Sequence, residues 1–225
     1  MAVMTAINPT ITALLLAGGN GTRFKSSTPK VFHPLGPKLV AKHSFDFFKG
    51  IPWIDDIVVV SKEKYHFHFE GARFAPPGER RQDSVYNGIQ NISSDFVLIH
   101  DAARPFIHLD DLENLRRDAF KYRAAALASR SKNTIKKGDA LGIVTKTLDR
   151  DHLFEIYTPQ LISKDLLLKG FSKAKEQNLT VTDDLSLVEL LGRNVKLTLS
   201  LNINIKITTP QDLHLVEFLL CPAIN

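Results

Sequence analysis

The run Ala17-Gly18-Gly19-Asn20-Gly21-Thr22-Arg23-Phe24, followed by Pro29-Lys30, holds residue types that handle a polyphosphate. Glycine has no Cβ, so backbone N–H groups in such a turn can close on phosphate oxygens. Arg23 adds a planar fork of donors and Lys30 a compact point charge, and both neutralise phosphate. Two well-known phosphate loops fit badly. A Walker loop needs Gly-Lys-Ser/Thr where this chain has Gly21-Thr22-Arg23, and the dinucleotide fingerprint needs a third glycine where Phe24 stands. A bare Gly-Gly-x-Gly turn can be purely structural. The arginine and the Pro-Lys pair behind it favour the nucleotide reading.

Such a turn needs a rigid base, and Ile11-Thr12-Ala13-Leu14-Leu15-Leu16 just before it reads as a buried strand. Asp56–Ser61 and Phe96–His100 read as two more, the latter running into Asp101-Ala102-Ala103-Arg104-Pro105, and Ala124–Ala128 as a small-residue strand. Helical spacing predicts helices over Leu39–Phe48, Asp83–Ile92 and Asp110–Phe120. This alternation predicts an α/β domain with a mostly parallel sheet, whose ligands sit beyond the carboxyl ends of the strands. Ser131–Gly138 and Gly142–Leu148 alternate apolar with polar instead, which predicts a projecting two-stranded arm turning at Lys137-Gly138-Asp139. An isolated hairpin is barely stable in water, so a second subunit is expected to cover it. Towards the C-terminus, Thr182 is expected to cap a helix with Asp183 and Asp184 in its first turn, and Thr209-Pro210 to open another. Lys62–Ala75 shows no usable pattern.

Composition narrows the class. With 225 residues and 44% hydrophobic content, one domain spanning 1–225 is the simplest organisation. The single cysteine, Cys221, cannot form an internal disulfide, which points to a reducing, cytoplasmic setting. No apolar run approaches the roughly 18 residues of a membrane span, and Leu14–Leu16 lacks the charged flank of a signal peptide. The formal charge of +5 implies an acidic partner. Long basic runs are absent and aromatic residues make up only 8%, so small phosphorylated substrates fit better than nucleic acid.

Six segments in order carry a family resemblance: Ala17–Arg23 with Pro29-Lys30; Gly78-Glu79-Arg80-Arg81-Gln82-Asp83-Ser84-Val85; Ile99–Pro105; Tyr157-Thr158-Pro159-Gln160; Thr182–Glu189; and Asn204-Ile205-Lys206-Ile207-Thr208. The chain thereby resembles the 2-C-methyl-D-erythritol 4-phosphate cytidylyltransferases of the nucleotidyltransferase superfamily, from about residue 11 to 220. The resemblance implies a Rossmann-like fold, a homodimer joined by the arm at about 130–155, and transfer of CMP from CTP to methylerythritol phosphate with Mg²⁺. It further implies Arg23, Lys30 and Lys206 as catalytic cations. Ala17, Gly18, Gly19, Gly21, Gly78, Asp83, Ser84, Asp101 and Ala102 would bind the nucleotide, with Asp101 also at the metal. Thr134, Arg150, Thr158 and Thr182 would contact the acceptor, Arg150 from the partner subunit.

Plainer readings stay open for single residues. Asp101 could cap the next segment or pair with Arg104, Arg150 alone is a solvated arm charge, and His100 suits a hydrogen-bonded structural histidine. His33, His66 and His68 have no metal-ligand spacing. The chain departs from the family at Val31, where glutamine is common, and in Leu201-Asn202-Ile203, where some members carry an acid. Two rivals remain: a ribitol 5-phosphate cytidylyltransferase, against which Thr182–Asp184 with Ser186 and Glu189 argues, and a non-catalytic nucleotide or nucleic-acid binding domain. Binding alone has no need of Arg23, Lys30, Asp101 and Lys206 together.

Overall fold

Short β-branched and leucine-rich runs alternate with amphipathic stretches, and the computed structural model, which describes residues 8–19, 24, 26 and 28–220, arranges them as a layered α/β fold. In chain order the strands and helices are β1 (Ile11–Leu16), β2 (Pro34–Leu35), β3 (Lys38–Leu39), α1 (Val40–Lys49), β4 (Asp56–Val60), β5 (Arg73–Ala75), α2 (Arg81–Ile89), β6 (Phe96–Asp101), α3 (Leu109–Tyr122) and β7 (Ala124–Arg130). Then follow β8 (Lys136–Gly138), β9 (Val144–Thr147), β10 (Phe154–Ser163), α4 (Lys164–Glu176), α5 (Leu185–Glu189), β11 (Lys196–Leu199) and α6 (Pro210–Leu220).

Seven strands form the central sheet in the order β11-β7-β10-β6-β1-β4-β5. The pairs β1/β4, β1/β6, β4/β5 and β7/β11 are parallel, whereas β10 runs antiparallel to both its neighbours. Helices cover both faces, which explains the unbroken apolar runs in β1, β4 and β6. Alternate residues of one strand serve opposite layers. Leu15 and Val59 pack in the cluster containing Phe45 of α1 and Leu112 of α3. Leu14 and Val58 pack in the other cluster, with Val85 of α2 and Leu167 of α4.

Several expectations shift. α2 begins at Arg81, two residues before the expected Asp83, because the Asp83 carboxylate reaches back to accept the Arg80 backbone N–H at 3.0 Å at the helix start. Thr182 does not cap the next helix: Asp184 is the N-cap residue of α5, and Asp183 accepts the Ser186 N–H at 3.1 Å. The hairpin β8/β9 forms, but it turns at Asp139–Gly142 rather than at Lys137–Asp139. Asp139 accepts the N–H groups of Leu141 and Ile143, each at 2.9 Å, and Gly142 takes a φ of +79° that few other residues adopt. The unpatterned Lys62–Ala75 stretch holds a 3-10 turn over Glu63–His68 and the edge strand β5. At α6 the Thr209 reading holds, because Asp212 accepts the Thr209 N–H at 2.7 Å and the Thr209 hydroxyl at 3.0 Å.

Candidate active site

The carboxyl ends of β1 and β6 and the start of α2 enclose a cleft of about 330 Å³. Its lining includes Gly18, Gly19, Lys30, Gly78, Ser84, Asp101 and Lys206, residues drawn from distant parts of the chain. Parallel pairing of Leu16 with Asp101 places the glycine turn beside the aspartate. The Ala17 N–H donates to the Val60 carbonyl at 2.9 Å and the Ala102 N–H to Leu16 at 3.1 Å, so both donors are used in the sheet's last rungs. Gly21 and Arg23 lie outside the described residues. Val31 also lines this cleft and is buried.

Close approach explains a second glycine. A Cβ on Gly78 would sit 2.4 Å from the Asp83 Cβ and 2.9 Å from the Ser84 nitrogen, so the loop can lie on the helix start only without a side chain. Gly78 N–H in turn donates to the Ser84 hydroxyl at 2.9 Å. Asp83 does not line the cleft. It pairs with the Arg80 guanidinium at 2.7 Å, and those hydrogen bonds hold its carboxyl below the usual range.

Asp101 is the electrostatic centre. Lys206 Nζ lies 2.5 Å from one carboxylate oxygen and Arg81 Nε 3.1 Å from the other. Burial works against its charge, but Arg81, Lys206 and Arg104 outweigh it and hold the carboxyl well below the usual carboxylate range. Arg81 also reaches Asp184 at 2.8 Å, a carboxylate with no exposed surface. Burial pushes Asp184 up while Arg81 opposes it. The Arg81 guanidinium itself, although burial disfavours its charge, is held charged by Asp184 and Asp101. Sequence reasoning missed Arg81 and Asp184 as a pair. The tandem Arg80-Arg81 and the doublet Asp183-Asp184 were visible, but nothing in either points to the other.

Removing one partner of a buried pair leaves an uncompensated charge, at a cost of about 3–5 kcal/mol. Arg81 keeps 31% of its side-chain surface open, which places Arg81→Met near the lower end, about 3 kcal/mol. Urea unfolding with the wild type as reference measures this, and a loss below about 1 kcal/mol would show that Asp184 does not depend on Arg81.

Lys206 arrives on a segment tied to the Asp101–Arg104 loop. Ile207 N–H donates to Ala103 O at 2.8 Å, Arg104 donates to Asn204 O at 2.7 Å, and the Asn204 amide donates to Thr158 O at 3.0 Å. Thr158 is buried and lines no cleft. Its hydroxyl oxygen accepts the Asp101 N–H at 3.0 Å. Beyond Lys206 opens a larger basic cleft of about 830 Å³, which includes Arg104, Arg130, Lys132 and Asn202. Lys206 lines both clefts. Burial lowers the Arg104 pKa, although Asp101 opposes the shift, and its guanidinium stacks 5.2 Å above the Tyr157 ring.

Three acceptor candidates stand apart from the first cleft within this chain. Thr182 is exposed ahead of α5, and Thr134 and Arg150 are exposed at the base of the hairpin. Arg150 donates to the Lys132 carbonyl at 3.3 Å. Asn202 donates to Asp111 at 3.1 Å. Among the described residues no group of three or more His, Cys, Asp or Glu could hold a metal. A carboxylate is the kind of ligand magnesium takes together with phosphate oxygens and several waters, but each oxygen of Asp101 already meets a cation, Lys206 on one and Arg81 on the other.

A glycine turn with cations around one ionised carboxylate, opening onto a second basic cleft, can bring two phosphorylated molecules together. Comparison with known proteins agrees. The family model for 2-C-methyl-D-erythritol 4-phosphate cytidylyltransferase matches residues 11–221. The enzyme of that name from Chlamydia pneumoniae is 42% identical over 209 residues, covering 92% of this chain and 97% of the relative. A chloroplastic one from Oryza sativa is 42% identical, covering 93% of this chain and 74% of the relative. The crystal structure of the Francisella tularensis enzyme superposes with a TM-score of 0.82 at 31% identity, covering 94% of this chain and all of that one (100%). The chain therefore belongs to the 2-C-methyl-D-erythritol 4-phosphate cytidylyltransferase family.

Proposed function

We propose that the two clefts meeting at Lys206 carry out CMP transfer from CTP to 2-C-methyl-D-erythritol 4-phosphate in isoprenoid biosynthesis. The carrying observation is Lys206, held 2.5 Å from Asp101 and lining both the glycine-turn cleft and the basic cleft. A phosphate oxygen of the acceptor attacks the α-phosphorus of CTP. The new O–P bond forms as the bond to the β,γ-pyrophosphate breaks, and the electron pair leaves with pyrophosphate. The nucleophile is already an anion, so no side chain has to remove a proton. The protein's tasks are alignment and neutralisation of charge growing on the α-phosphate.

Gly18, Gly19 and Gly21 cradle the triphosphate in this reading, and Arg23, Lys30 and Lys206 neutralise it. Gly78 and Ser84 line the base pocket, with Asp83 behind them at the helix start; Ala17 and Ala102 complete the nucleotide site, and Asp101 lies near the ribose. Asp101 would also hold magnesium, which when bound offsets phosphate charge. The acceptor lies against Thr182, Lys206 and, from a partner's arm, Thr134 and Arg150, while Thr158, buried behind Asp101, holds the loop rather than the acceptor. That assigns a single 1–225 domain with its 130–155 arm to a homodimer working in the cytoplasm on small phosphorylated substrates rather than on nucleic acid or a membrane. No helix among the described residues is long and apolar enough to cross a membrane.

The base pocket gives a direct test. A site with a carbonyl facing the cytosine amino group leaves UTP with acceptor against acceptor. Each unpaired buried polar group costs about 1–3 kcal/mol, so one or two mismatches give roughly 10- to 10⁴-fold preference for CTP in kcat/KM. Equal kcat/KM for CTP and UTP with methylerythritol phosphate would remove Gly78 and Ser84 from base reading.

A further inference from the structure

His100 is fully buried on β6 and lines neither cleft, yet it touches both ends of the loop that carries Asp101. Its Nε2 lies 2.9 Å from the Arg104 carbonyl oxygen, which can only accept, so Nε2 carries the proton. In the neutral ring Nδ1 is then an acceptor, and it lies 3.2 Å from the Thr158 hydroxyl. Thr158 therefore donates its proton to His100 and turns a lone pair to the Asp101 N–H at 3.0 Å. The result is one directed chain, from Asp101 N–H through Thr158 and His100 to Arg104 C=O. Bonds arranged head to tail in this way polarise one another.

The same loop is closed by its own turn, with Arg104 N–H donating to Asp101 O at 2.9 Å. Ser44 of α1 donates to the Arg104 carbonyl at 3.0 Å, and Phe48 meets the imidazole edge-on at 5.4 Å. Ala103 and Arg104 in turn hold the segment that delivers Lys206.

We infer that His100 is a positioning residue for the transfer reaction: from inside the core it fixes the Asp101–Arg104 loop, and with it the Asp101 carboxylate, against the cleft. Only a ring with a donor on one side and an acceptor on the other can serve both ends. The inference rests on the assignment of Asp101 to the nucleotide, and the test separates the two.

Glutamine can keep a donor near the Nε2 position while losing the Nδ1 acceptor, and asparagine does the reverse. His100→Gln is expected to lower kcat/KM roughly tenfold in the wild type, the loss that follows from one misdirected buried hydrogen bond. In an Asp101→Asn background the same change is expected to cost less than about threefold, because the group being positioned is already impaired. The fall in melting temperature is expected to match in both backgrounds. Equal fold-losses in both backgrounds would make His100 a general packing residue and overturn the inference. If Asp101→Asn alone left turnover within about twofold, the assignment of Asp101 would fall, and the inference with it. Should His100→Gln not fold, His100→Asn and Thr158→Val break the same chain at other bonds and face the same criterion. Nitrogen-15 spectra of the unmodified protein provide a check without mutation: the relay requires the Nε2–H tautomer at His100, and an Nδ1–H tautomer would contradict it.

Discussion

Replacing Lys30 by alanine is expected to lower turnover roughly 100- to 1000-fold, the usual cost of one charge-assisted donor aimed at developing negative charge. The melting temperature should hardly move. Lys30 opens a short 3-10 turn in which the packing is done by Val31 and Phe32, both buried, while Lys30 itself is only half-buried at the cleft. Function and folding are thus carried by neighbouring side chains of one turn. Pyrophosphate release gives the rate and thermal unfolding the stability. A variant that melts normally and keeps more than a tenth of the wild-type rate would contradict the assignment. Arg23→Ala is expected to behave alike.

Subunit mixing should rescue two inactive variants. Arg150 is exposed at the base of the hairpin and does not line the nucleotide cleft of its own chain. The hairpin leaves Leu141, Ile143 and Val144 uncovered, at 85%, 61% and 57% exposure, as a surface that a second copy would bury. If Arg150 serves the partner's site, Arg150→Ala and Lys30→Ala homodimers should both be nearly inactive. In a mixed dimer one site keeps an intact Lys30 and receives an intact Arg150, so each such dimer should regain about half the wild-type activity. A fully active monomer, or no recovery after verified mixing, would rule out the shared site.

Much of this was legible in the residues alone, for physical reasons. Strands buried on both faces are continuously apolar, so β1, β4 and β6 stood out. The glycine turn and Gly78 announce close backbone approach, and Thr209-Pro210 with Asp212 announces a helix start. Pairings across long separations were hidden. β10 is antiparallel to its neighbours, and its register with β7 shifts between Ile156 and Gln160, which no local pattern signals. Asp184 looked like a helix-start charge but turns inward to Arg81, while Asp183 takes over the hydrogen bond to Ser186. Thr158 looked like a ligand by its motif, yet its hydroxyl is engaged with Asp101 and His100. The edge strand β5 is three residues long, too short for periodicity to show.

The most direct test of the two-cleft account is to supply CTP and magnesium with either 2-C-methyl-D-erythritol 4-phosphate or ribitol 5-phosphate, and to measure pyrophosphate and cytidylylated product together. The expected result is one pyrophosphate per 4-diphosphocytidyl-2-C-methyl-D-erythritol formed, with ribitol 5-phosphate turned over far more slowly. Absence of product with methylerythritol phosphate, or equal turnover of the two acceptors, would contradict it.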